Sequence, residues 1–345
     1  MDGILTGVNA MNNIAKQKFI CARNVWIILF LLHFLLATTR EAPSKNVENH
    51  NKNIATISFL KSEHAIEIRI DDQRFANYVF EDEDIPRPYF CDLHTPGGIP
   101  ITRNHPPLEG VDPTDHATYH PGLWMSFGDI SGNDYWRNQA RTKHIRFEKE
   151  PENAAGCAEF GVLNHYPDSD GAIICEERCH YTIVVQPDGY LLIIQSEFSS
   201  PIQPFLFGDQ EEMGLGVRVA TPVSVKSGGT ICNSNGQQNE SQVWGQPADW
   251  CDYSGIIAGV RVGVALLASP RNFRKSWFHA RDYGLLVANP FGRNAFTKRE
   301  NSQIVIEPNQ PFRLGFGVFI YCANEDGTPD FNKVYSDFSA MVTIR

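Results

Sequence analysis

The sequence predicts an all-β protein built as a sandwich or a barrel. Short apolar runs recur along most of the 345 residues, and glycine, proline, asparagine and aspartate separate them. Such runs at short spacing are typical of strands, and the alternation of strand and helix patterns that indicates a parallel sheet does not occur. A helical pattern is convincing only at residues 332–341, where we predict one helix.

The N-terminal part has the pattern of an export signal. A polar segment that contains Lys16, Lys18 and Arg23 is followed at 25–37 by thirteen residues that are apolar except for one histidine, and small polar residues come next. This order is typical of a secretory signal. The apolar run is also shorter than the roughly 20 residues that a membrane-spanning helix needs. We therefore predict a signal peptide or an N-terminal anchor over residues 1–39.

The following residues differ in composition from the leader and from the β-rich part. Residues 40–55 are polar and charged, which predicts a flexible tether. A single β-sandwich domain is then expected over residues 56–345, a length sufficient to bury a hydrophobic core. We expect an exported protein, periplasmic or extracellular, that an uncleaved leader would hold at the membrane.

The acidity of the chain restricts its partners. The formal net charge is −10, and removal of the leader, with three basic residues and one acidic residue, leaves −12. A nucleic-acid partner requires a basic face. We therefore expect no nucleic acid, no membrane contact beyond an uncleaved leader, and a small-molecule or oligosaccharide ligand.

Eight apolar runs are predicted as strands. They cover residues 65–70, 173–185, 191–196, 217–225, 260–268, 284–288, 303–306 and 312–321. Large apolar side chains occupy every second position of the last run, which is strand periodicity. Gln-Pro-Asp-Gly at 186–189 has good turn chemistry and joins the second and third runs, so we predict a hairpin there.

Four long segments between these runs are predicted as ordered loops that together form a site on one rim of the scaffold. They cover residues 99–145, 205–216, 228–255 and 270–300. Loops of this length in a compact domain are usually functional or disordered. These are rich in Trp, His, Arg and Asn, a composition that argues against disorder.

The first segment contains two histidines four residues apart, His116 and His120, beside Asp115. Histidine is suited to proton transfer near neutral pH and to metal binding, and a neighbouring carboxylate fixes its tautomer. Asp129, Asp134, Trp136 and Arg137 follow at 129–137. The alternative is that these groups only hold a long loop together through hydrogen bonds.

The second segment contains two adjacent glutamates, Glu211 and Glu212, ahead of a strand that carries Arg218. Glycoside hydrolysis uses a pair of carboxylates that flank the scissile bond. Adjacent side chains on an extended chain point in opposite directions, so one glutamate would need a partner such as Asp249, Asp252 or Glu197. A solvated acidic turn is an equally good reading.

The third and fourth segments contain aromatic and cationic groups. Trp250 lies in WGQPADWCDY at 244–253, which is either a stacking floor for a sugar ring or a cover for the core. On an extended chain His279, Arg281 and Tyr283 share one face. This trio could bind a carboxylate or an oxyanion, or it could close a salt-bridged corner.

Six motifs occur in order: TRNHPP at 102–107, TDHATYHPGLW at 114–124, FGDISGNDYWRN at 127–138, EEMGLGVRVATP at 211–222, WCDYSG at 250–255 and HARDYGLLVANPFG at 279–292. Over about residues 56–340 they resemble a bacterial domain family of unknown function that is often labelled "methane oxygenase PmoA". The resemblance implies a large antiparallel β-sandwich of the galactose-mutarotase-like supersandwich type and a place in exported carbohydrate use. A methane oxygenase subunit spans the membrane several times, whereas this chain has one short apolar segment, so the label does not fit.

Our leading hypothesis is an enzyme that hydrolyses or eliminates a glycoside or an oxidised sugar. His116 or His120 would shuttle protons, Glu211 or Glu212 would act as acid or base, and Trp250 would stack on the ring. The candidate catalytic residues are His116, His120, Glu211, Glu212 and His279, and the candidate substrate-binding residues are Arg103, Asn104, Asp129, Trp136, Arg137, Arg218, Trp250, Asp252, Arg281, Tyr283 and Asn289.

Two alternatives remain open at this stage. One is a carbohydrate-binding protein without catalysis that uses the same loops. The other is a metal-dependent oxygenase, with His116, His120 and His279 as ligands, because imidazole-rich sites suit copper, iron and zinc. We expect no cofactor, and these three histidines are the candidate ligands if a metal is bound.

Overall fold

The computed structural model of the chain describes residues 54–342. The predicted leader and nearly all of the predicted tether lie outside these residues. Within residues 54–342 there are twenty strands, three α-helices and two short 3-10 turns. No helix in this range has the length and apolar character that crossing a bilayer requires.

The strands are β1 (Thr56–Lys61), β2 (Ala65–Ile70), β3 (Gln73–Val79), β4 (Tyr89–Cys91), β5 (Leu123–Phe127), β6 (Lys143–Lys149), β7 (Ala154–Ala155), β8 (Cys157–Pro167), β9 (Ile173–Gln186), β10 (Gly189–Ser199), β11 (Phe205–Phe207), β12 (Met213–Arg218), β13 (Thr230–Asn233), β14 (Gln246–Pro247), β15 (Trp250–Ile257), β16 (Val260–Ala268), β17 (Trp277–Arg281), β18 (Leu285–Asn289), β19 (Ile304–Ile306) and β20 (Phe312–Asn324). The helices are α1 (Asn239–Val243), α2 (Arg293–Thr297) and α3 (Phe331–Met341), and the 3-10 turns are Thr221–Val223 and Val225–Ser227.

Two large antiparallel sheets contain most of these strands. The ten-stranded sheet has the order β14-β17-β18-β12-β5-β4-β3-β2-β1-β7, and the eight-stranded sheet has the order β13-β15-β16-β20-β10-β9-β8-β6. β11 and β19 form a separate pair. The prediction of an all-β protein built as a large antiparallel β-sandwich is confirmed.

The core lies between the two sheets and is rich in aromatic rings. Tyr78 of the ten-stranded sheet lies 5.2 Å, between ring centroids, from both Phe160 and Tyr181 of the eight-stranded sheet. Phe127 and Phe198 make a similar contact across the sandwich at 5.4 Å. Such tilted and edge-to-face arrangements are the favoured geometries of aromatic pairs and add to the burial of apolar area.

The strand alternation decides which side chains enter this core. In β20 the side chains of Leu314, Phe316, Val318 and Ile320 join the central core, whereas Phe319 and Tyr321 point to the opposite face of the sheet. That outer face is covered by α3 through Phe331, Val334 and Phe338. The predicted helix at 332–341 is confirmed, and the hairpin predicted at 186–189 joins β9 to β10.

Two predictions about local structure are wrong. The strand predicted at 217–225 ends at Arg218. Pro222 lies in the 3-10 turn Thr221–Val223 that follows, and proline cannot donate to a strand ladder. The four segments predicted as long loops contain strands, among them β5, β12, β15 and β17. The outward positions of these strands are often glycine or polar. In β12, Gly214, Gly216 and Arg218 alternate with buried apolar residues. Because only every second residue is apolar, such a strand does not stand out in the sequence as a continuous apolar run.

Candidate functional site

Most of the candidate residues gather over the outer face of the ten-stranded sheet. In β12 and β17 the inward side chains belong to the central core, so the pleat turns Arg218, His279 and Arg281 outward. Trp124 of β5 occupies the same outer face together with Trp136, Leu285 and Val287. The site is therefore on a sheet face that loops cover, and not on a rim formed by loops alone.

Gly216 leaves room for two indole rings to pack against the sheet. A Cβ atom at this position would be 2.9 Å from Trp124 Cζ2 and 3.0 Å from Trp136 Cη2, closer than carbon atoms approach without strain. Trp136, a predicted substrate-binding residue, is fully buried in this layer. It supports the site from below, and its burial does not favour the predicted contact with substrate.

Asp115 links the exposed histidine of the site to a buried arginine. His116 Nδ1 lies 2.9 Å from Asp115 Oδ2, and Arg218 Nη2 donates to Asp115 Oδ1 at 3.0 Å. The hydrogen bond to Asp115 orients the imidazole and leaves Nε2 for other contacts. The side chain of His116 is 45% exposed, and its backbone has φ of 51°, a conformation that non-glycine residues rarely adopt outside turns and functional sites.

Arg103 holds the loop that carries His116. Its guanidinium donates to the carbonyl oxygens of Pro113, Asp115, His116 and His120, at distances from 2.8 to 3.4 Å. The residue is buried. It therefore positions the loop, and its burial does not favour the predicted contact with substrate.

His120 is not placed to move protons to a ligand. Its ring is stacked between those of His116 and Trp124, with centroid distances of 4.9 and 5.0 Å, and the residue is 2% exposed. Burial, followed by the charge of His116, lowers the pKa of His120 well below its usual range, so the ring is neutral. Of the two predicted proton shuttles, only His116 is accessible.

Glu212 is the half-buried carboxylate of the site. It forms an ion pair with Arg137, which also donates to Asp134 Oδ2 at 2.8 Å. Its side chain is 21% exposed. Burial raises the pKa of Glu212. The positive charges of Arg137 and His116 lower this pKa, whereas the negative charges of Asp134 and Glu211 raise it further. The net upward shift favours the protonated acid at a higher pH than for an ordinary glutamate.

Glu211 turns to a different set of partners, as expected for adjacent residues. Its Oε2 lies 3.5 Å from Arg281 Nη2 and 3.8 Å from His279 Nδ1. Arg281 also pairs at 2.8 Å with Glu240 of α1 and lies over the ring of Trp244, 5.8 Å from its centroid. Glu240 was not among the predicted residues, because nothing in a short helix far along the chain indicates a contact with Arg281.

Both ring nitrogens of His279 are used within the protein. Arg281 Nε donates to Nε2 at 3.0 Å, so Nδ1 carries the proton and faces the carbonyl oxygen of Glu211 at 3.3 Å. Burial lowers the pKa of His279 to about 4. The neutral ring holds Arg281 in place, and these contacts leave neither nitrogen free for the predicted catalytic role.

Three more predicted binding residues have structural roles. Asn289 is fully buried and donates to the carbonyl oxygens of Gln210 and Glu211 at 2.7 and 3.0 Å. Asn104 donates to Asp112, and Asp129 accepts from the backbone amide of Gly132 in a turn. All three fix loops of the site, and Asn289 fixes the segment that carries both glutamates.

Two predicted residues lie outside the site. Trp250 and Asp252 are on β15 in the eight-stranded sheet. The indole of Trp250 packs on Phe331 of α3 at 4.8 Å, and Asp252 accepts a hydrogen bond from Tyr321 at 3.1 Å. The prediction that they share a binding surface with His116 is wrong, because the chain crosses to the other sheet between β14 and β15.

The accessible polar groups therefore form one patch, which we call the His116 cluster: His116, Asp115, Glu212, Arg137, Glu211, Arg281, Glu240, Tyr283 and Trp244. Tyr283 is connected to the histidine by direct contacts, because Arg218 lies 4.4 Å from the centre of its ring and also donates to Asp115. A separate recess of about 330 Å³ lies beside Asn138 and is lined by residues of 83–86 and 138–141.

The donor geometry does not favour the predicted metal ligands. Within residues 54–342 no group of three or more His, Cys, Asp or Glu side chains is arranged to hold a metal ion. His120 and His279 are buried, and the two ring nitrogens of His279 are already bonded. His116, His120 and His279 thus do not converge on one point.

The fold and the cluster define a β-sandwich protein with a polar and aromatic site on the outer face of one sheet. The chain belongs to the family of unknown function DUF6807, which matches residues 65–329. This match confirms the predicted membership of a family of unknown function, whereas the methane oxygenase label is not confirmed. No curated protein matches the chain.

Several solved structures share a distant likeness with the chain. The α-galactosidase from Lactobacillus brevis is 8% identical with a TM-score of 0.39, covering 81% of this chain and 40% of the enzyme. The GH36 α-galactosidase AgaA from Geobacillus stearothermophilus is 9% identical with a TM-score of 0.38, covering 78% of this chain and 40% of the enzyme. The Slr1438 protein from Synechocystis sp. PCC 6803 is 11% identical with a TM-score of 0.32, covering 84% of this chain and 99% of that protein. The chain spans about two fifths of the two galactosidases, and TM-scores this low carry no argument about activity.

Proposed function

We propose that the protein is an exported carbohydrate-active enzyme that cleaves a glycosidic bond, by hydrolysis or by elimination, with His116 and Glu212 as its proton-transfer groups. The observation that carries this proposal is that the cluster contains both an accessible histidine oriented by a carboxylate and a half-buried glutamate whose pKa is raised. Pairs of titratable groups in such contrasting environments are typical of acid–base catalysis.

The two groups have complementary roles. Glu212, whose pKa is raised, donates a proton to the leaving oxygen of the glycosidic bond. His116, held through Nδ1 by Asp115, accepts a proton at Nε2. In hydrolysis this proton comes from the attacking water, and in elimination it comes from the ring carbon next to an electron-withdrawing group. The same two side chains therefore serve both reactions.

The surroundings suit a polyhydroxylated ring. Arg137, Arg281 and Tyr283 are hydrogen-bond donors, and Glu211 and Glu240 are acceptors. Trp244 and Tyr283 offer aromatic faces, each of which already lies within 6 Å of an arginine side chain. Sugar recognition combines these elements, an apolar ring face against an aromatic group and hydroxyls against charged polar groups.

The test is product release from a panel of plain and 3-oxidised glycosides by the full-length protein. We expect turnover that falls by at least about 100-fold in His116→Ala, because general acid–base catalysis contributes on that order. His64→Ala is the matched control, since His64 is an exposed histidine between β1 and β2. New reducing ends report hydrolysis, and an unsaturated sugar reports elimination.

The pH profile gives a second readout. Activity should decrease as the pH rises through the elevated pKa of Glu212, because the proton donor is then lost, and Glu212→Gln should remove this limb together with most of the activity. Retention of glycans without any turnover, in wild type and in both variants, would contradict the proposal and would support the alternative of a carbohydrate-binding protein.

A further inference from the structure

The recess beside Asn138 adjoins the His116 cluster through direct contacts. Asn138 follows Arg137, which pairs with Glu212. The side-chain amide of Asn138 donates to the carbonyl oxygen of Thr118 at 3.3 Å, and Thr118 lies within the turn that begins at His116. One wall of the recess is therefore a single residue away from Arg137 and one hydrogen bond away from the turn that carries the histidine.

Arg87 joins the same two segments from below. Its buried guanidinium donates to the carbonyl oxygen of Trp136 at 2.9 Å, to that of Tyr119 and to the side-chain oxygen of Asn138. Hydrogen bonds from a charged donor are stronger than those between neutral groups. The boundary between the cluster and the recess is thus held in one arrangement by a single side chain.

Both walls of the recess are fixed by hydrogen bonds within the protein. Asp82 accepts from the backbone amides of 84–85 at 2.8 and 2.9 Å, and the carbonyl oxygen of Asp134 accepts from two backbone amides of the other wall at 3.1 and 2.9 Å. The amide of Thr142 donates to the carbonyl oxygen of Pro86 at 2.8 Å and ties the walls together. A preformed recess spares a ligand the cost of ordering its binding site.

The lining of the recess offers both donors and acceptors. Glu83 and Asp84 supply carboxylate oxygens, and Gln139 and Arg141 supply N–H groups. All four side chains are exposed, and none is engaged by another residue within the described part of the chain. The two carboxylates outnumber the one guanidinium, so the lining disfavours an anion. Hydroxyl groups, which both donate and accept, match this neutral to slightly acidic lining.

We propose that the recess is a subsite for a second, neutral sugar unit of an oligosaccharide whose scissile bond lies at the His116 cluster. This inference rests on the proposed function and specifies its substrate class, a chain of sugars in place of a simple glycoside. The volume of about 330 Å³ is at the lower end of the range of about 300–1,000 Å³ for small-molecule sites.

Tyr119 stands at the boundary that such a chain crosses. Its ring centroid lies 6.2 Å from that of His116, and its carbonyl oxygen shares the guanidinium of Arg87 with Asn138. A ligand that extends from the histidine to the recess therefore passes this residue. Its partly exposed aromatic ring offers a face to the sugar on the way.

The experiment is calorimetric titration of full-length Glu212→Gln protein, which does not consume its ligands under the proposed mechanism. The ligands are trisaccharides of glucose, galactose, mannose and xylose in their common linkages, each compared with the methyl glycoside of the same sugar. We expect at least one trisaccharide to bind about tenfold or more tightly than its methyl glycoside, a difference that two or three hydrogen bonds supply. Equal affinities throughout would overturn the inference.

The double change Gln139→Ala and Arg141→Ala locates this preference. Added to the Glu212→Gln protein, it should reduce the ratio of the two affinities to within about threefold, because two hydrogen-bonding side chains of the recess are lost. The ratio is the readout, since a general weakening of binding lowers both affinities and leaves the ratio as it is. A full preference in this variant would place the second sugar elsewhere and overturn the inference.

The matched control is the double change Gln203→Ala and Arg271→Ala. It removes the same two side-chain types at exposed positions outside the recess and the cluster, and it should retain the preference. An equal loss in this control would show a general surface effect and would also overturn the inference.

Failure of the inference and failure of the proposed function give different results. If the wild type cleaves glycosides but neither binds nor cleaves the longer chains better, the subsite is wrong while the proposed function stands. If trisaccharides are preferred through the recess and the wild type cleaves none of them, the proposed function is wrong while the subsite stands as part of a binding protein.

Discussion

At the scale of single residues, Asp115 connects the parts of the site. It accepts from Arg218 through one oxygen and contacts His116 through the other, and 103 positions in the chain separate Asp115 from Arg218. Burial raises the pKa of Asp115, but the hydrogen bond to His116 and the charges of Arg218 and Arg103 outweigh this effect and lower the pKa below its usual value. The carboxylate is therefore ionised at neutral pH and fixes the orientation of the imidazole.

Asp115→Asn tests this connection. The amide is isosteric but neutral, so His116 loses the charged acceptor that fixes its tautomer, and we expect turnover to fall by about 10- to 100-fold with a smaller change in KM. Steady-state kinetics across pH measure the effect. Asp326→Asn, on the exposed turn after β20, is the control. Equal kinetics in wild type and Asp115→Asn would show that the carboxylate has no part in catalysis.

At the scale of elements, the segment between β11 and β12 places both glutamates. Asn289 at the end of β18 donates to two carbonyl oxygens of this segment, and its own oxygen accepts from the amides of Phe291 and Gly292 at 2.7 and 3.0 Å. Asp209 accepts from the first amides of α2, Asn294 and Ala295, at 2.7 and 3.0 Å. The segment is thus anchored on both sides by hydrogen bonds that are buried or partly buried.

Asn289→Ala should affect stability and activity together. Four backbone groups lose a buried partner, and we expect the free energy of unfolding to decrease on the order of 2–4 kcal/mol, measured by urea denaturation. Under conditions where the variant is folded, its pH profile should also shift, because Glu212 is no longer held in its half-buried position. Asn301→Ala, at an exposed asparagine, is the control. An unchanged pH profile in a folded Asn289→Ala would restrict Asn289 to a stabilising role.

At the scale of the whole molecule, a buried carboxyl group on the eight-stranded sheet couples stability to pH. Asp252 lies on β15 beside Tyr321, and burial raises the pKa of Asp252 to about 7, although hydrogen bonds from Ser254 and Tyr321 oppose the shift. The folded state therefore binds a proton that the unfolded chain releases at lower pH. A carboxyl group of raised pKa stabilises the folded state most at low pH, and this contribution is lost as the pH rises from about 4 to 7.

Unfolding measurements at several pH values test this coupling. Between pH 4 and pH 8 the free energy of unfolding should decrease, with a contribution from Asp252 of at most about 4 kcal/mol. Asp252→Asn should remove most of this dependence and be more stable than the wild type at pH 8, since the amide is neutral at all pH values. Asp249→Asn, at the exposed neighbour that pairs with Lys275, should retain the wild-type slope. The same slope in Asp252→Asn would assign the dependence to other groups.

The local patterns of the sequence predict the architecture and most of the residues that form the cluster. Alternation in 312–321 predicts which side chains of β20 enter the core, and the turn at 186–189 predicts the β9–β10 hairpin, because both depend on residues close in the chain. Where glycines replace apolar residues at the outward positions of β12, the alternating pattern is too weak to predict most of the strand. Most of the residues that meet at the cluster lie in motifs that the sequence already distinguishes.

Only the tertiary structure decided which of these residues a ligand can reach. His116 and His120 are four positions apart and chemically identical, but packing on Trp124 buries His120 and leaves His116 exposed. Trp244 and Trp250 belong to one motif, and they are separated because β14 joins one sheet and β15 the other. Side-chain chemistry is a property of the residue and can be read from the chain, whereas burial and neighbours depend on contacts between segments far apart in it.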